Sequence, residues 1–269
     1  MAVIALASAK GSPGVTTSAL ALALAWPRPV LLLEADVFGS SSILAGYLRG
    51  ATRHDKGLLD LALAHRRGAL ADALHQASIP LPDSQARLVA GLTSPAQAAT
   101  LQPVWEPIAA VLRSLDRTGT DVIVDAGRLG AQHGPGPLLR EADVTLLVTR
   151  SQLPAIAATR ARAIVLREEL TNQGTGADAL ALLVVGEGQP YSTRELQATI
   201  GSPVAVTVAW DPVHAEVFSL GAAAGRRFQS SSLVRSIRAA VGAVQDLVVT
   251  RQQRLAPGTL VQDGERGRA

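Results

Sequence analysis

The sequence predicts an α/β fold, a doubly wound, mostly parallel sheet flanked by helices. Three observations carry this expectation. Short, wholly apolar runs recur along the 269-residue chain, as they do in parallel strands buried on both faces. Longer segments with apolar residues at helical spacing separate them. A glycine-rich turn joins the first run to the first of those segments, and regular strand–helix alternation implies right-handed crossovers within one sheet.

In order, the first strand is Ala2–Ala7, and a helix follows over Val15–Ala25. Val30–Glu34, "VLLLE", is the second strand. Two helices, Gly57–His65 and Ala69–Ala77, are broken by Arg66-Arg67-Gly68, and Ile79–Ser84, with Pro80 and Pro82, reads as a plain connector. Strand Arg87–Ala90 and helix Pro103–Leu115 lead to strand Val122–Asp125. Gly127–Pro137, "GRLGAQHGPGP", is either a simple surface loop or a mobile switch, and its place directly after a strand favours the switch. The rest alternates: strand Val144–Thr149, helix Leu153–Leu170, strand Ala179–Val185, helix Ser192–Ile200, strand Val204–Ala209, then helices Val213–Leu220 and Ser232–Arg251. Residues 1–250 form one domain, and 251–269 a polar, aperiodic tail without the means to fold. There is no internal repeat.

Composition narrows the classes. A chain that is 48% hydrophobic can bury a full core. It has no Cys, which excludes disulfides and thiolate metal sites and fits a reducing cytoplasm. The five His (54, 65, 75, 133, 214) show no metal-ligand spacing. A net charge of +3 is too small to indicate nucleic acid by itself. Arginine supplies nearly all the positive charge, the lysines being Lys10 and Lys56, and with abundant Ala this suggests a GC-rich, bacterial coding bias. The apolar stretch Ser18–Ala25 lacks the positive n-region of a signal peptide, and no run approaches membrane-spanning length.

The chemistry centres on "AKGSPGVTT", Ala9–Thr17. A strand, a glycine-rich turn and a helix opening with Thr16 and Thr17 can cradle a phosphate, because backbone N–H groups and the helix N-terminus converge there. A bare strand-to-helix turn with a threonine cap is the alternative, and the loop alone does not decide between them. Glu34 and Asp36 stand at the carboxyl end of the second strand, and "DVIVDAG" puts Asp125 at the carboxyl end of another. Carboxylates so placed hold magnesium through waters and orient an attacking water. Each alone could be a capping residue; the three features in this order favour a phosphate site.

With these residues the chain resembles the MinD/ParA family of deviant Walker A P-loop ATPases, whose loop reads Lys-Gly-Gly-x-Gly-Lys-Thr-Thr. The matching residues are Lys10, Gly11, Ser12, Pro13, Gly14, Val15, Thr16 and Thr17. The resemblance implies that these bind ATP or ADP, that Lys10 reaches across a homodimer interface to the partner's nucleotide, and that Thr16 and Asp125 hold Mg2+. It further implies that Thr17 contacts phosphate and that Asp36 positions the attacking water. "AWDPVH" is similar to the family's Pro-Tyr-Asp-type turn, and Ser230–Leu247 to its closing helix. The resemblance covers roughly residues 2–250.

Four departures matter. Val15 replaces the lysine that clamps the β and γ phosphates; losing one such donor slows hydrolysis about 10²–10³-fold and weakens binding by roughly one to two decades. Pro13 removes a backbone N–H. "VVGEGQP" carries Glu187 where the family often has Asn-Arg, which loosens the expectation of adenine, and Asp125-Ala126-Gly127 lacks the usual proline. Two functions follow: a slow ATP-dependent dimerisation switch in spatial organisation, or a pseudo-ATPase adaptor that docks protein partners. The divergent CpaE/TadZ-like branch suggests pilus or secretion positioning. The apolar stripe of the closing helix (Leu233, Ile237, Ala240, Val241, Val244, Leu247, Val248) docks on the sheet, leaving membrane contact to a partner. Arg226, Arg227, Arg235, Arg238, Arg251 and Arg254 are candidates for a non-specific DNA patch, with a solvated face as the commoner reading. A cytoplasmic protein recruited to membrane or nucleoid is expected.

Overall fold

Wholly apolar strands are stable only where both faces of their sheet are covered, and the computed structural model shows that arrangement. It describes residues 1–10 and 14–255, the side chains at 116 and 117 excepted. The elements are β1 (Val3–Ser8), α1 (Val15–Leu24), β2 (Val30–Glu34), a π-helical turn (Ile43–Tyr47), α2 (Leu58–His65), α3 (Leu70–Ala77), β3 (Ser78–Pro80), β4 (Ala86–Val89), α4 (Ala98–Leu101) and α5 (Trp105–Ser114). There follow β5 (Asp121–Arg128), α6 (Gly136–Arg140), β6 (Val144–Arg150), α7 (Leu153–Gln173), β7 (Leu180–Val185), α8 (Thr193–Ile200), β8 (Val204–Val208), α9 (Pro212–Ser219) and α10 (Ser232–Leu255).

The strands form one eight-stranded sheet in the order β3-β4-β2-β5-β1-β6-β7-β8. All pairs are parallel except β3 with β4. From β1 the chain steps out to β2 and β4, returns to β5 beside β1, then crosses to β6 on β1's other flank. The winding reverses at β1, so a crevice opens at its carboxyl end.

Side chains alternate between the two faces. Val3, Ala5, Leu31, Leu33, Val122 and Val124 pack with Leu61, Leu74, Trp105, Ile108 and Leu166 of α2, α3, α5 and α7. Ile4, Leu6, Leu32, Ile123 and Leu146 pack with Leu20, Leu22, Phe218, Ile237 and Val244 of α1, α9 and α10. Burying each Leu or Ile stabilises by about 1.5–3 kcal/mol. The apolar stripe of α10 docks as expected, with Leu247 only partly buried.

Several boundaries differ from those read in the sequence. The connector around Pro80 contains the short antiparallel strand β3; proline is tolerated there because an edge strand need not donate from every N–H. Helix Pro103–Leu115 opens as a 3-10 turn at Gln102–Val104 before α5. β5 runs to Arg128, so Asp125 lies within the strand rather than at its end, and its pairing with β1 shifts register between Leu6 and Ser8. α10 continues to Leu255, past the expected start of the tail at 251; residues 256–269 of that tail lie outside the described residues. Arg251 explains the continuation and leaves the DNA patch: it is 2% exposed. Its guanidinium donates to Asp178 at 3.2 Å, to the Thr175 carbonyl at 2.6 Å and to the Asp143 carbonyl, tying the helix end to the sheet. Among the described residues, no helix is long and apolar enough to cross a membrane.

Candidate functional site

The crevice at the end of β1 collects most of the expected site residues. Gly14 caps α1 in the left-handed conformation, φ +97°, and among the described residues no side chain caps the helix. The threonine-cap alternative therefore fails: Thr16 and Thr17 are half-buried residues inside the first turn. A helix start without a side-chain cap leaves N–H donors for an anion. Lys10 is exposed beyond β1. Gly11, Ser12 and Pro13 lie outside the described residues.

Val15 is 7% exposed and belongs to the apolar cluster beneath α1. The position where the resemblance would put a cation is core.

Asp125 is central in the site. Its Cα pairs with Glu34 of β2 on one side and Leu6 of β1 on the other, which sets the carboxyl group under the loop. Oδ1 accepts from the Gly127 N–H at 3.0 Å. Oδ2 is buried and makes no hydrogen bond of normal geometry among the described residues, although the Thr16 hydroxyl lies near enough to favour the ionised carboxyl. Burial pushes the Asp125 pKa up to about 7; the Thr16 hydroxyl beside it and the Gly127 N–H hold the rise back, and the charges of Glu34 and Asp36 add to it. A buried carboxylate oxygen without a partner is costly, and a cation is what it fits.

The two acids at the end of β2 and just beyond it divide their roles. Glu34, 4% exposed, accepts from the Ser41 hydroxyl, from Ile43 N–H at 3.3 Å and from Gly91 N–H at 3.2 Å. Burial raises its pKa despite these bonds. It is saturated and serves to tie the end of β2 to the 41–43 segment and to the residues after β4. Asp36 is half-buried, and among the described residues its Oδ1 accepts from Phe38 N–H alone, at 3.0 Å. It lies against Gly127: a Cβ there would stand 2.3 Å from the Asp36 Cγ, and Gly127 has φ +61°. Glycine at 127 thus makes room for Asp36 beside Asp125, in place of the proline that the resemblance leads one to expect.

On the far side, beyond β6, Glu187 accepts from the Thr193 hydroxyl at 2.9 Å. Asp211 caps α9, accepting from His214 N–H at 3.3 Å and from the Ser232 hydroxyl at 3.1 Å, so the acid of the "AWDPVH" turn is structural. Sequence reasoning passed over two arginines that end β5 and β6: Arg128 stacks on Phe38, and Arg150 lies 3.6 Å over Trp210. The available signal was a charged residue closing an apolar run, as in "VTLLVTR".

Among the described residues no three carboxylates or imidazoles converge as a metal cage. Mg2+ does not require one, since it is held by one or two carboxylates together with substrate phosphates and water. Thr16 and the free Oδ2 of Asp125 fit that requirement.

Known structures share this architecture. The chain has the MinD/ParA fold. It superposes on the septum site-determining protein MinD of Pyrococcus horikoshii, solved with Mg-ADP, with TM-score 0.69 and 17% identity over 93% of this chain and 98% of that one. A ParA family ATPase of Chlorobium tepidum gives TM-score 0.68 and 17% identity over 89% and 98%. The MinC:MinD cell division complex of Aquifex aeolicus gives 0.66 and 14% over 91% and 96%. No family model and no curated protein matches the chain. The crevice at the end of β1 therefore lies at the carboxyl edge of a sheet with the MinD/ParA fold.

Proposed function

We propose that this chain binds Mg-ATP weakly in the crevice after β1 and acts as a slow, ATP-dependent dimerisation switch in spatial organisation. The observation that carries the proposal is the partnerless buried Oδ2 of Asp125 beside Thr16, at a helix start that no side chain caps. The P. horikoshii structure with Mg-ADP supports the same ligand class.

In this reading the N–H groups opening α1 hold phosphate, and Thr16 with Asp125 holds the metal. Mg2+, when bound, neutralises charge on the β and γ phosphates. Asp36, with one carboxyl oxygen free of protein hydrogen bonds among the described residues, orients the attacking water. Glu34 keeps the end of β2 fixed beneath it. Lys10 acts in trans, at the nucleotide of a second copy. Because Val15 contributes no cation, hydrolysis is slowed about 10²–10³-fold relative to a loop with lysine there, so the nucleotide state outlasts each encounter. The function is that of a positioner of a division site, a replicon, or a pilus or secretion machine in a bacterial cytoplasm. The MinC:MinD complex supports a protein partner, which in turn supplies any contact with membrane or nucleoid.

A second reading is favoured by one observation, the burial of Val15: a pseudo-ATPase adaptor that keeps the fold as a docking platform. Calorimetric titration with Mg-ATP and Mg-ADP, with light scattering to follow assembly, separates the two. Binding with ATP-dependent dimerisation is expected of the switch. No binding at millimolar nucleotide would leave the adaptor. Lys10→Ala is expected to spare nucleotide affinity more than dimerisation; equal loss of both would overturn its role in trans.

A further inference from the structure

The loop lacks positive charge at Val15, and the neighbouring strands bring it. β1 lies between β5 and β6, and both of these end in arginine, Arg128 and Arg150. Arg128 is the register partner of Ser8, the last residue of β1, and the Leu129 N–H donates to the Ser8 carbonyl at 2.8 Å. The β5 backbone thus accompanies the chain to the point where the loop begins. One residue earlier Gly127 abuts Asp36, and two before that stands Asp125. Arg128 is therefore fixed by the backbone at the carboxyl end of the sheet, beside the metal-binding and water-orienting acids.

Its side chain is held loosely. The guanidinium is exposed, 4.5 Å from the centre of the Phe38 ring, which is itself 45% exposed. Among the described residues it pairs with no carboxylate. A cation resting on an exposed aromatic ring is bound more weakly than one making charge-assisted hydrogen bonds to phosphate. The planar fork of a guanidinium also matches phosphate oxygens two at a time. Arg150 sits closer to its ring, 3.6 Å over Trp210, which follows β8, two strands beyond β6, whereas Phe38 follows β2, the strand next to β5.

We propose that Arg128 moves from Phe38 onto the terminal phosphates of a bound nucleoside triphosphate and supplies in cis positive charge for binding, without standing in the lysine's place for hydrolysis. This rests on the nucleotide-binding reading above and adds a named phosphate-binding residue to it. It also accounts for a phosphate site tolerating an apolar residue in its loop: the charge has moved one strand sideways.

The test is calorimetric titration of the full-length chain with Mg-ATP, Mg-ADP and AMP. The proteins compared are wild type, Arg128→Ala, Arg128→Lys and Arg150→Ala. Arg128→Ala is expected to weaken Mg-ATP about tenfold to hundredfold, the effect of losing one charged hydrogen bond. Mg-ADP should weaken less and AMP not at all, and Arg128→Lys should recover part of the ATP affinity. Being exposed, Arg128 can be replaced without loss of fold, which an unchanged melting temperature verifies. Equal weakening of all three nucleotides, no weakening of any, or loss of the phosphate-number dependence in Arg150→Ala instead of Arg128→Ala would overturn the assignment. Failure of the wild type to bind Mg-ATP would overturn the nucleotide reading itself, so the two failures are distinguishable.

Discussion

Asp125→Asn should stabilise the ligand-free protein at pH 8 while abolishing its affinity for Mg-ATP. In the folded chain the Asp125 carboxyl has a pKa of about 7 against an ordinary 3.8, chiefly because it is buried. Between those two values the folded chain holds a proton that the unfolded chain has released, so stability falls as pH rises from about 4 to about 7 and levels off above. With about 1.36 kcal/mol per pKa unit, the buried charge costs roughly 4 kcal/mol at pH 8. The asparagine variant removes that charge, and its Oδ1 still accepts from Gly127. Its Nδ2 takes the place of the partnerless Oδ2, and a poorly satisfied buried amide costs about 1–3 kcal/mol. The net gain is then about 1–3 kcal/mol, on the order of 5 °C for a chain of this size.

The assay is thermal and urea unfolding of both proteins without nucleotide or Mg2+ between pH 5 and 8. The difference between wild type and variant is the quantity to read, because contributions common to both proteins cancel in it. The expected result is a gap near zero or favouring wild type at pH 5 that turns to favour the variant by pH 8. A variant less stable than wild type at pH 8, with an undiminished pH slope, would refute the claim that this carboxylate is held charged at a cost.

Two further outcomes follow from the packing. Gly127→Ala puts a methyl group 2.3 Å from the Asp36 Cγ at a residue with φ +61°, so it should destabilise by about 1–2 kcal/mol from the backbone alone and by more from the clash. In a double-mutant cycle with Asp36→Gly the clash component should vanish; strictly additive losses would show that the two residues do not touch. Arg251→Ala should lower stability by about 2–4 kcal/mol, since two carbonyls and Asp178 lose their donor. Arg251→Lys should recover little of this, one ammonium being unable to span all three acceptors, and full recovery by lysine in urea titrations would refute the clamp.

Much of this architecture is legible because the strands are buried on both faces. β2 matches its expected bounds, since "VLLLE" is apolar up to the acid that ends it. What escaped the sequence depends on contacts between distant segments. Asp121, fully buried, accepts from Ala2 N–H and Trp26 Nε1, 119 and 95 residues away, and pairs with Arg28. No local pattern announces that convergence. Glu34 and Asp36 look equivalent in "LEAD", yet one faces three donors and the other faces the crevice, a difference made by Ser41, Ile43 and Gly91. Arg251 looked like a surface cation because its chain neighbours Thr250, Gln252, Gln253 and Arg254 are polar, and only the strand and loop ends facing it make it core. The run of β5 past Asp125 depends on Gly127, whose missing side chain is explained by Asp36 rather than by anything adjacent.

Burial of Val15 and strain at Asp125 point in opposite directions about whether the site is in use, and their magnitudes decide between them. Val15 is comfortable: an apolar side chain in an apolar cluster contributes to stability and asks for no ligand. Asp125 is not, because roughly 4 kcal/mol is a large share of the 5–15 kcal/mol that holds a typical domain together. Asparagine would relieve that cost without altering the fold, and an adaptor that never met a cation would lose nothing by it. A cation bound at Oδ2 recovers the cost, since it favours the ionised carboxylate over the protonated one. On the proposed reading a cation at Oδ2 and the phosphates still arrive, and the exposed guanidinium of Arg128, one strand away, is the candidate source of the charge that Val15 does not supply.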